Sequence, residues 1–212
     1  MTDVRILRAE GDREGTVRAA ARVLAEGGLL AHPTETVYGL GGRDAELDRE
    51  IARLKGRDED RPLLRLGPDV KTIRRRHPGL RWTPAARRLA ETFWPGPLTL
   101  VLDDGTEHGL GVRVEGHPLT RRVLSILEAT MSSTSLNRTG SPPARTPEEA
   151  AEALEAMPAA RVAVAWLRAG TLPGGPPSTV LSLRGGTTRL LRAGAIEASR
   201  VEQALEEETN HG

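Results

Sequence analysis

Apolar and polar positions alternate along the chain in short blocks, and each block predicts an element. Residues 13–26 (REGTVRAAARVLAE) repeat apolar side chains at helical spacing and stop at Gly27-Gly28, which predicts a helix with a glycine end. In AELDREIARLK (45–55), Leu47, Ile51 and Leu54 fall on one helical face. TPAARRLAETFW (83–94) predicts a helix with Pro84 in its first turn, where the missing N–H would have had no helical acceptor. HPLTRRVLSILEA (117–129) and residues 197–208 also read as helices. TPEEAAEALEA (146–156) places Thr146 at an N-cap with Glu149 three residues on, the pattern of a capping box. Between these lie strand-like runs at 29–32, 62–66, 98–102, 111–114, 131–135, 162–167, 178–183 and 188–192. Strands and helices mix without strict alternation. That favours an α/β (α+β) fold, a twisted mixed β-sheet flanked by helices, over a doubly wound parallel sheet. The Gly/Pro-rich loop 168–177 is too short to link domains, so residues 1–212 are expected to form a single domain.

Composition narrows the class. The 212 residues are 38% hydrophobic but contain only one Tyr, one Phe and three Trp, so the core must be built from Leu, Val, Ala and Ile. No run reaches the ~18 apolar residues of a membrane span, and the charged N-terminus lacks a signal-peptide core. With no cysteine, disulfides, thiolate catalysis and cysteine-bound metals are excluded. These features predict a soluble, cytoplasmic protein with no membrane partner. Net charge is only +1, but it is unevenly spread. Residues 53–88 hold twelve Arg/Lys against four acids, whereas 197–208 hold five Glu and one Arg. A basic region on a neutral chain suits an anionic ligand such as a nucleotide, phosphate or RNA, or is simply a solvated charged surface.

Four loops at predicted strand ends carry residues able to do chemistry, where α/β folds place ligand sites. HPTETVYGLGG (32–42) offers the Thr34 and Thr36 hydroxyls, Glu35 and the single tyrosine, Tyr38; it also fits a glycine-rich turn. KGRDEDRPLL (55–64) sets Lys55 and Arg57 either side of Gly56, which would let a point charge and a planar fork meet one anion. Its plainer reading is a helix end with a cation on the dipole. SSTSLNRTG (132–140) has four successive hydroxyls before Asn137. They could bond a base, ribose or phosphate, or order their own backbone in ST- and Asx-turns. Ser178 and Thr179 of PPSTV (176–180) and Arg192 of LLRAGAI (190–196) would face one cavity or form an ordinary hairpin.

Other chemistries find no support. There is no GxxxxGK[ST] loop, no HExxH or similar histidine spacing and no GxSxG elbow, and GLGG lacks the third glycine of a dinucleotide fingerprint. His117, before Pro118, reads as a cap or turn residue.

Taken in order, the four loops resemble the YrdC/Sua5 family. The pattern PT[DE]TVYGLG is matched from Pro33 to Gly41, KxR by Lys55 and Arg57, and the following basic residue before PL by Arg61-Pro62-Leu63. WPGPLT stands intact at 94–99, and VRxPxHP resembles Val112-Arg113-Val114-Glu115-Gly116-His117-Pro118. STSANxSG appears at 133–140 with Leu136 in place of alanine, and PSTV and LRxG close a match covering about 15–196. The resemblance implies the short, single-domain form with a basic concave surface. It implies synthesis of threonylcarbamoyl-AMP from L-threonine, bicarbonate or CO₂, and ATP carried with Mg²⁺, with release of pyrophosphate. The product would pass to tRNA threonylcarbamoyl transferase proteins for the t6A modification of tRNA. Lys55, Arg57 and Arg192 would be catalytic; these three with Arg61, Ser135, Leu136 and Asn137 would hold ATP. Thr34, Tyr38, Arg113, Thr134 and Ser178 would hold threonine, and no protein side chain would hold a metal. Two alternatives stay open: a non-catalytic module of the same fold that binds double-stranded RNA, with tRNA as another possible partner, and a carbamoyl-AMP-type transferase.

Overall fold

The computed structural model describes residues 4–8, 13–58 and 62–206. The chain runs β1 (Val4–Arg8), α1 (Arg13–Ala25), β2 (Leu29–Pro33), β3 (Tyr38–Gly41), α2 (Ala45–Lys55), β4 (Leu64–Gly67), α3 (Val70–Arg76), α4 (Pro84–Phe93) and β5 (Leu98–Leu102). It continues β6 (Leu110–Val114), α5 (Pro118–Leu127), β7 (Met131–Ser135), α6 (Pro147–Glu155), β8 (Val164–Arg168), β9 (Thr179–Ser182), β10 (Arg189–Arg192) and α7 (Ala198–Glu206). Helices begin where polar side chains cap free N–H groups. Asp44 accepts from Leu47 N, Asp69 from Thr72 N and Thr83 from Ala86 N. The capping box of Thr146 and Glu149 forms in both directions. Each such cap stabilises its helix by about 1 kcal/mol.

The strands join in one mixed sheet ordered β1-β8-β2-β3-β7-β4-β6-β5-β9-β10. Pairs β1/β8, β2/β8, β4/β6 and β5/β9 are parallel; the others are antiparallel. Strand β7 is the seam. On one side it pairs Gly39↔Ser135 and Leu40↔Thr134; on the other Leu64↔Ser133, Arg65↔Ser132 and Leu66↔Met131. The hydroxyl run therefore sits at the middle of the sheet with both half-sheets converging on it.

Three apolar clusters cover the sheet. One gathers Tyr38, Leu40, Ile51, Leu136, Leu154 and Trp166 under α2 and α6. A second gathers Val17, Leu24, Leu66, Val123 and Leu124 under α1 and α5. The third packs α3, α4 and α7 on β5, β6 and β9 through Ile73, Leu89, Phe93, Leu100 and Val201. Among the described residues no helix is long and apolar enough to cross a membrane.

Three elements went unread in the sequence. Strand β1 is an edge strand with little buried. Helix α3 buries only Thr72 and Ile73, so it shows no apolar period. Strand β3 lies inside PTETVYGLGG, where glycines suggest a turn, yet all four of its residues are buried.

Candidate active site

A cleft of about 600 Å³ opens over the seam. One half-sheet lends Thr34, Tyr38 and Gly39, the other Arg113, Ser178 and Arg192, and β7 contributes Ser133, Thr134 and Ser135 to its floor. Arg57 reaches it from the end of α2. Three guanidiniums thus share one cleft, and its lining among the described residues contains no carboxylate.

Lys55 and Arg57 do not converge as their spacing suggests. Gly56 adopts a left-handed conformation (φ 62°) as the C-cap of α2, and the Arg57 N–H closes back on the Ala52 carbonyl. The glycine ends a helix, and the two cations part. Arg57 lines the cleft; Lys55 is buried against the loop after β7. Its ammonium donates to the carbonyls of Ser135 and Asn137, the latter at 2.6 Å, and to Asn137 Oδ1 at 2.9 Å. Three bonds use all the hydrogens an ammonium has. Asn137 Oδ1 also accepts from Ser135 Oγ at 2.6 Å, and its Nδ2 donates to the carbonyls of Arg138 and Ser141. The motifs KGR and SLN are therefore one interlocked unit. Burial, with the Arg57 charge adding to it, pulls the Lys55 ammonium down to about 8, while its three acceptors favour the charged form.

Arg113 holds the opposite wall. It is buried on β6 and donates from Nη2 to Glu115 Oε2 at 2.6 Å. Glu115 is fully buried and also accepts the His117 N–H at 2.9 Å. Burial opposes the charge on Glu115, but Arg113 and the His117 N–H outweigh it and keep its carboxyl below the ordinary range. His32 is buried behind Ser133, whose hydroxyl meets its Nε2 at 3.2 Å; burial pulls this imidazole down to about 4, so it is neutral.

Thr34 caps its own turn. Its hydroxyl donates to the Val37 carbonyl at 2.7 Å and accepts the N–H groups of Thr36 and Val37. The Tyr38 phenol points away from the cleft: it donates to the Gly170 carbonyl at 2.8 Å, accepts from Ala169 N, and packs edge-on against Trp166. Tyr38 therefore meets the cleft without its hydroxyl, which anchors the 168–177 loop instead. Gly174 N bonds to the Thr36 carbonyl and Leu172 N to that of Arg145, so this loop is stitched along the cleft rim.

Ser178 and Arg192 are both hairpin residues and neighbours in the cleft. Arg192 donates from Nε and Nη2 to the Ser178 carbonyl and from Nη2 to Ser178 Oγ at 3.0 Å, and Thr99 Oγ1 lies 3.0 Å from the same hydroxyl. Burial and the facing Arg113 charge lower Arg192 below the ordinary arginine range. Two guanidiniums held toward each other repel, and an anion between them relieves that repulsion.

Of the residues singled out in the sequence, Thr34, Tyr38, Arg57, Arg113, Thr134, Ser135, Ser178 and Arg192 line the cleft. Lys55 and Asn137 stand behind its wall. Leu136 does not belong to it: just past the end of β7, its side chain is fully buried in the core under α2 and α6. Arg61 lies outside the described residues. The arginine run at 74–76 is partly occupied within the fold, since Arg75 and Arg76 donate to the Glu128 carbonyl and Arg75 pairs with its carboxylate. Glu115 and His32 were missed, whereas Ser133 was read as one of the four hydroxyls of 132–135. Glu115 was open to detection, since residues two apart on a strand share a face and Arg113 would have demanded a partner.

An arginine-lined, hydroxyl-floored cleft at the seam of a mixed sheet is an α/β arrangement suited to an anionic ligand. The profile of the Sua5/YciO/YrdC family, described as telomere recombination, matches residues 22–194, and the chain belongs to this family. A threonylcarbamoyl-AMP synthase of Chromohalobacter salexigens is 40% identical over 187 residues, covering 80% of this chain and 93% of that protein. One of Thiobacillus denitrificans is 33% identical over 192 residues, covering 85% and 97%. The crystal structure of P. abyssi Sua5 complexed with L-threonine superposes with a TM-score of 0.81 at 28% identity over 97% of this chain; the chain spans 62% of that longer protein. E. coli YciO shares the fold, with a TM-score of 0.76 at 23% identity over 93% of this chain and 98% of YciO.

Proposed function

We propose that this chain is a threonylcarbamoyl-AMP synthase, which joins L-threonine, bicarbonate or CO₂, and ATP into threonylcarbamoyl-AMP and pyrophosphate. The observation that carries the reading is the grouping of Arg57, Arg113 and Arg192 in one cleft over a hydroxyl floor. Relatives carrying this name align along most of their length, which supports it.

The threonine nitrogen adds to the carbon of CO₂, loses protons and becomes an N-carboxylate. A carboxylate oxygen then attacks the ATP α-phosphorus, the bond from that phosphorus to the bridging oxygen breaks, and pyrophosphate leaves. Negative charge gathers on a crowded phosphate, so cations set in place beforehand lower the barrier. Arg57 and Arg192 face the triphosphate in this reading, and Arg113 forks the threonine carboxylate. Thr34, Thr134 and Ser178 orient threonine, and Ser135 takes the nucleotide. Lys55 acts by holding the loop of Ser135 and Asn137 in shape. Mg²⁺ enters with ATP as part of the substrate; among the described residues no group of three carboxylates or histidines is placed to hold it. Positioning and electrostatics supply the rate, and no covalent nucleophile is required. The product is a reactive mixed anhydride, so a transferase acting on tRNA would consume it.

Pyrophosphate release by purified protein with MgATP, bicarbonate and L-threonine tests this. Release dependent on both threonine and bicarbonate is expected. No release from a folded sample that binds double-stranded RNA with a steep salt dependence would replace the enzyme by a binding module.

A further inference from the structure

Arg113 lines the cleft and anchors an unusual electrostatic compartment within its wall. Two carboxylates serve this one guanidinium. Glu115 bonds it directly, at 2.6 Å. Glu35, from the turn between β2 and β3, is pressed against Gly116: a β-carbon on residue 116 would lie 2.3 Å from its carboxyl carbon. It accepts the Gly116 N–H, yet its Oε2 is buried without any partner. Arg113 Nε is likewise buried and unpartnered.

The other groups around this compartment cannot balance it. His32 on β2 is neutral and bonded to Ser133 on β7. His117 at the start of α5 is held toward its neutral form, chiefly by burial, with Glu115 opposing and the Arg13 charge from α1 assisting. Thr120 on α5 spends its hydroxyl on the Pro33 carbonyl. Arg192 faces Arg113 from the far side of the cleft and is bound to Ser178. The balance inside the wall is one permanent cation against two acids.

A ligand carboxylate reaching Arg113 would be the third on that side. With Glu35 ionised, three negative charges would gather at Arg113 in a partly dehydrated space, with Arg192 across the cleft as the one further guanidinium facing them. With Glu35 protonated, the compartment is neutral before binding and the incoming charge meets an available fork. Burial, followed by the charge on Glu115, already raises the Glu35 carboxyl above the usual carboxylate range, which favours the protonated form.

We propose that a carboxylate ligand binds Arg113 together with one proton, which Glu35 holds, and that Glu115 is the positioning residue which fixes the Arg113 fork. The inference rests on the reading of L-threonine as a substrate of this cleft. Its consequence is a proton-linked affinity for the amino acid. Affinity is constant while Glu35 is protonated in the free protein, and it falls by about tenfold per pH unit once binding must recruit the proton.

Calorimetric titration of the full chain with L-threonine tests this, run from about pH 5.5 to 7, a unit below the pH of about 8 at which Lys55 titrates. Two buffers of different ionisation heat, MES and imidazole, give the number of protons taken up. Close to one proton per threonine is expected at the upper end of the range, and L-threonine amide, which lacks the carboxylate, should take up none. Glu35→Gln fixes the neutral state in the same shape. It should abolish the uptake, flatten the pH dependence, and bind threonine at least as tightly as the native chain at about pH 7. Binding without buffer dependence, or an uptake unchanged in Glu35→Gln, overturns the inference while leaving the threonine site intact. Failure of L-threonine to bind the native chain at any of these pH values overturns the proposed function and this inference with it. The native-chain measurement does not depend on the variant folding.

Discussion

Lys55 and Arg113 are both buried cations beside one cleft, and they are neutralised in opposite ways. Lys55 meets only neutral acceptors, two carbonyls and an amide oxygen. Arg113 meets a buried carboxylate. Dipoles stabilise an ammonium without cancelling its charge, so burial still drags Lys55 down to about 8. An ion pair cancels charge and leaves a guanidinium locked in place, and removing either member strands the other in a low dielectric. One wall is thus an adjustable positive brace, the other a fixed fork. Under the proposed function, which brings together a polyphosphate and an amino acid, both kinds of wall have a use.

The largest effect should come from breaking the ion pair. Arg113→Met leaves Glu115 buried and unpaired and should destabilise the fold by about 3–5 kcal/mol in urea denaturation. Adding Glu115→Gln should return most of that loss, because the stranded charge is then gone; a double variant as unstable as the single one would mean that Arg113 acts by packing.

Next comes the brace. Lys55→Ala removes the clamp on Ser135 and Asn137 and should slow pyrophosphate release by about 10²–10³-fold. Lys55→Arg should restore little, since a planar fork cannot reproduce three bonds from one nitrogen. Recovery by arginine would show that charge alone matters at this position.

Tyr38→Phe should cost about 1–2 kcal/mol of stability, from one lost donor and one lost acceptor on the 168–177 loop. Its effect on threonine affinity should be small, because the phenol does not face the cleft. A large rise in threonine Kd with unchanged stability would return Tyr38 to direct ligand contact.

The smallest and most discriminating effect is in pH. The Lys55 ammonium titrates at about 8 in the folded chain against an ordinary 10.5. Between these values the unfolded chain carries more protons at this group, so its contribution to stability rises with pH there. Activity should move the other way, falling above about 8 as the brace loses its charge. Denaturation of the native chain and Lys55→Met across this window should show a stability difference that grows with pH. A difference that stays flat would mean that the three acceptors hold Lys55 at its ordinary value.

Local order was legible before any coordinates, because it depends on neighbours in the chain. The helix over Ala45–Lys55 follows from Leu47, Ile51 and Leu54 at helical spacing, and the cap at Thr146 from a residue three positions on. The residues that line the cleft were legible as well, since family patterns keep polar groups at strand ends in order. What they touch was not. Lys55 meets Asn137 from 82 residues away and Tyr38 reaches Gly170 from 132, and no periodicity records such a partner. Leu136 stands between Ser135 and Asn137, whose side chains hydrogen-bond to each other, and still belongs to the core, because α2 and α6 cover the side of this loop on which it lies. Glu35 reads in sequence as one more polar loop residue. Only the fold sets it beside Gly116 and near the charges of Glu115 and Arg113, where burial and a second carboxylate raise its carboxyl above the ordinary range. Spacing along the chain sets local hydrogen bonds and the apolar face; charge balance and burial are properties of three-dimensional neighbours, and the tertiary structure alone assigns them.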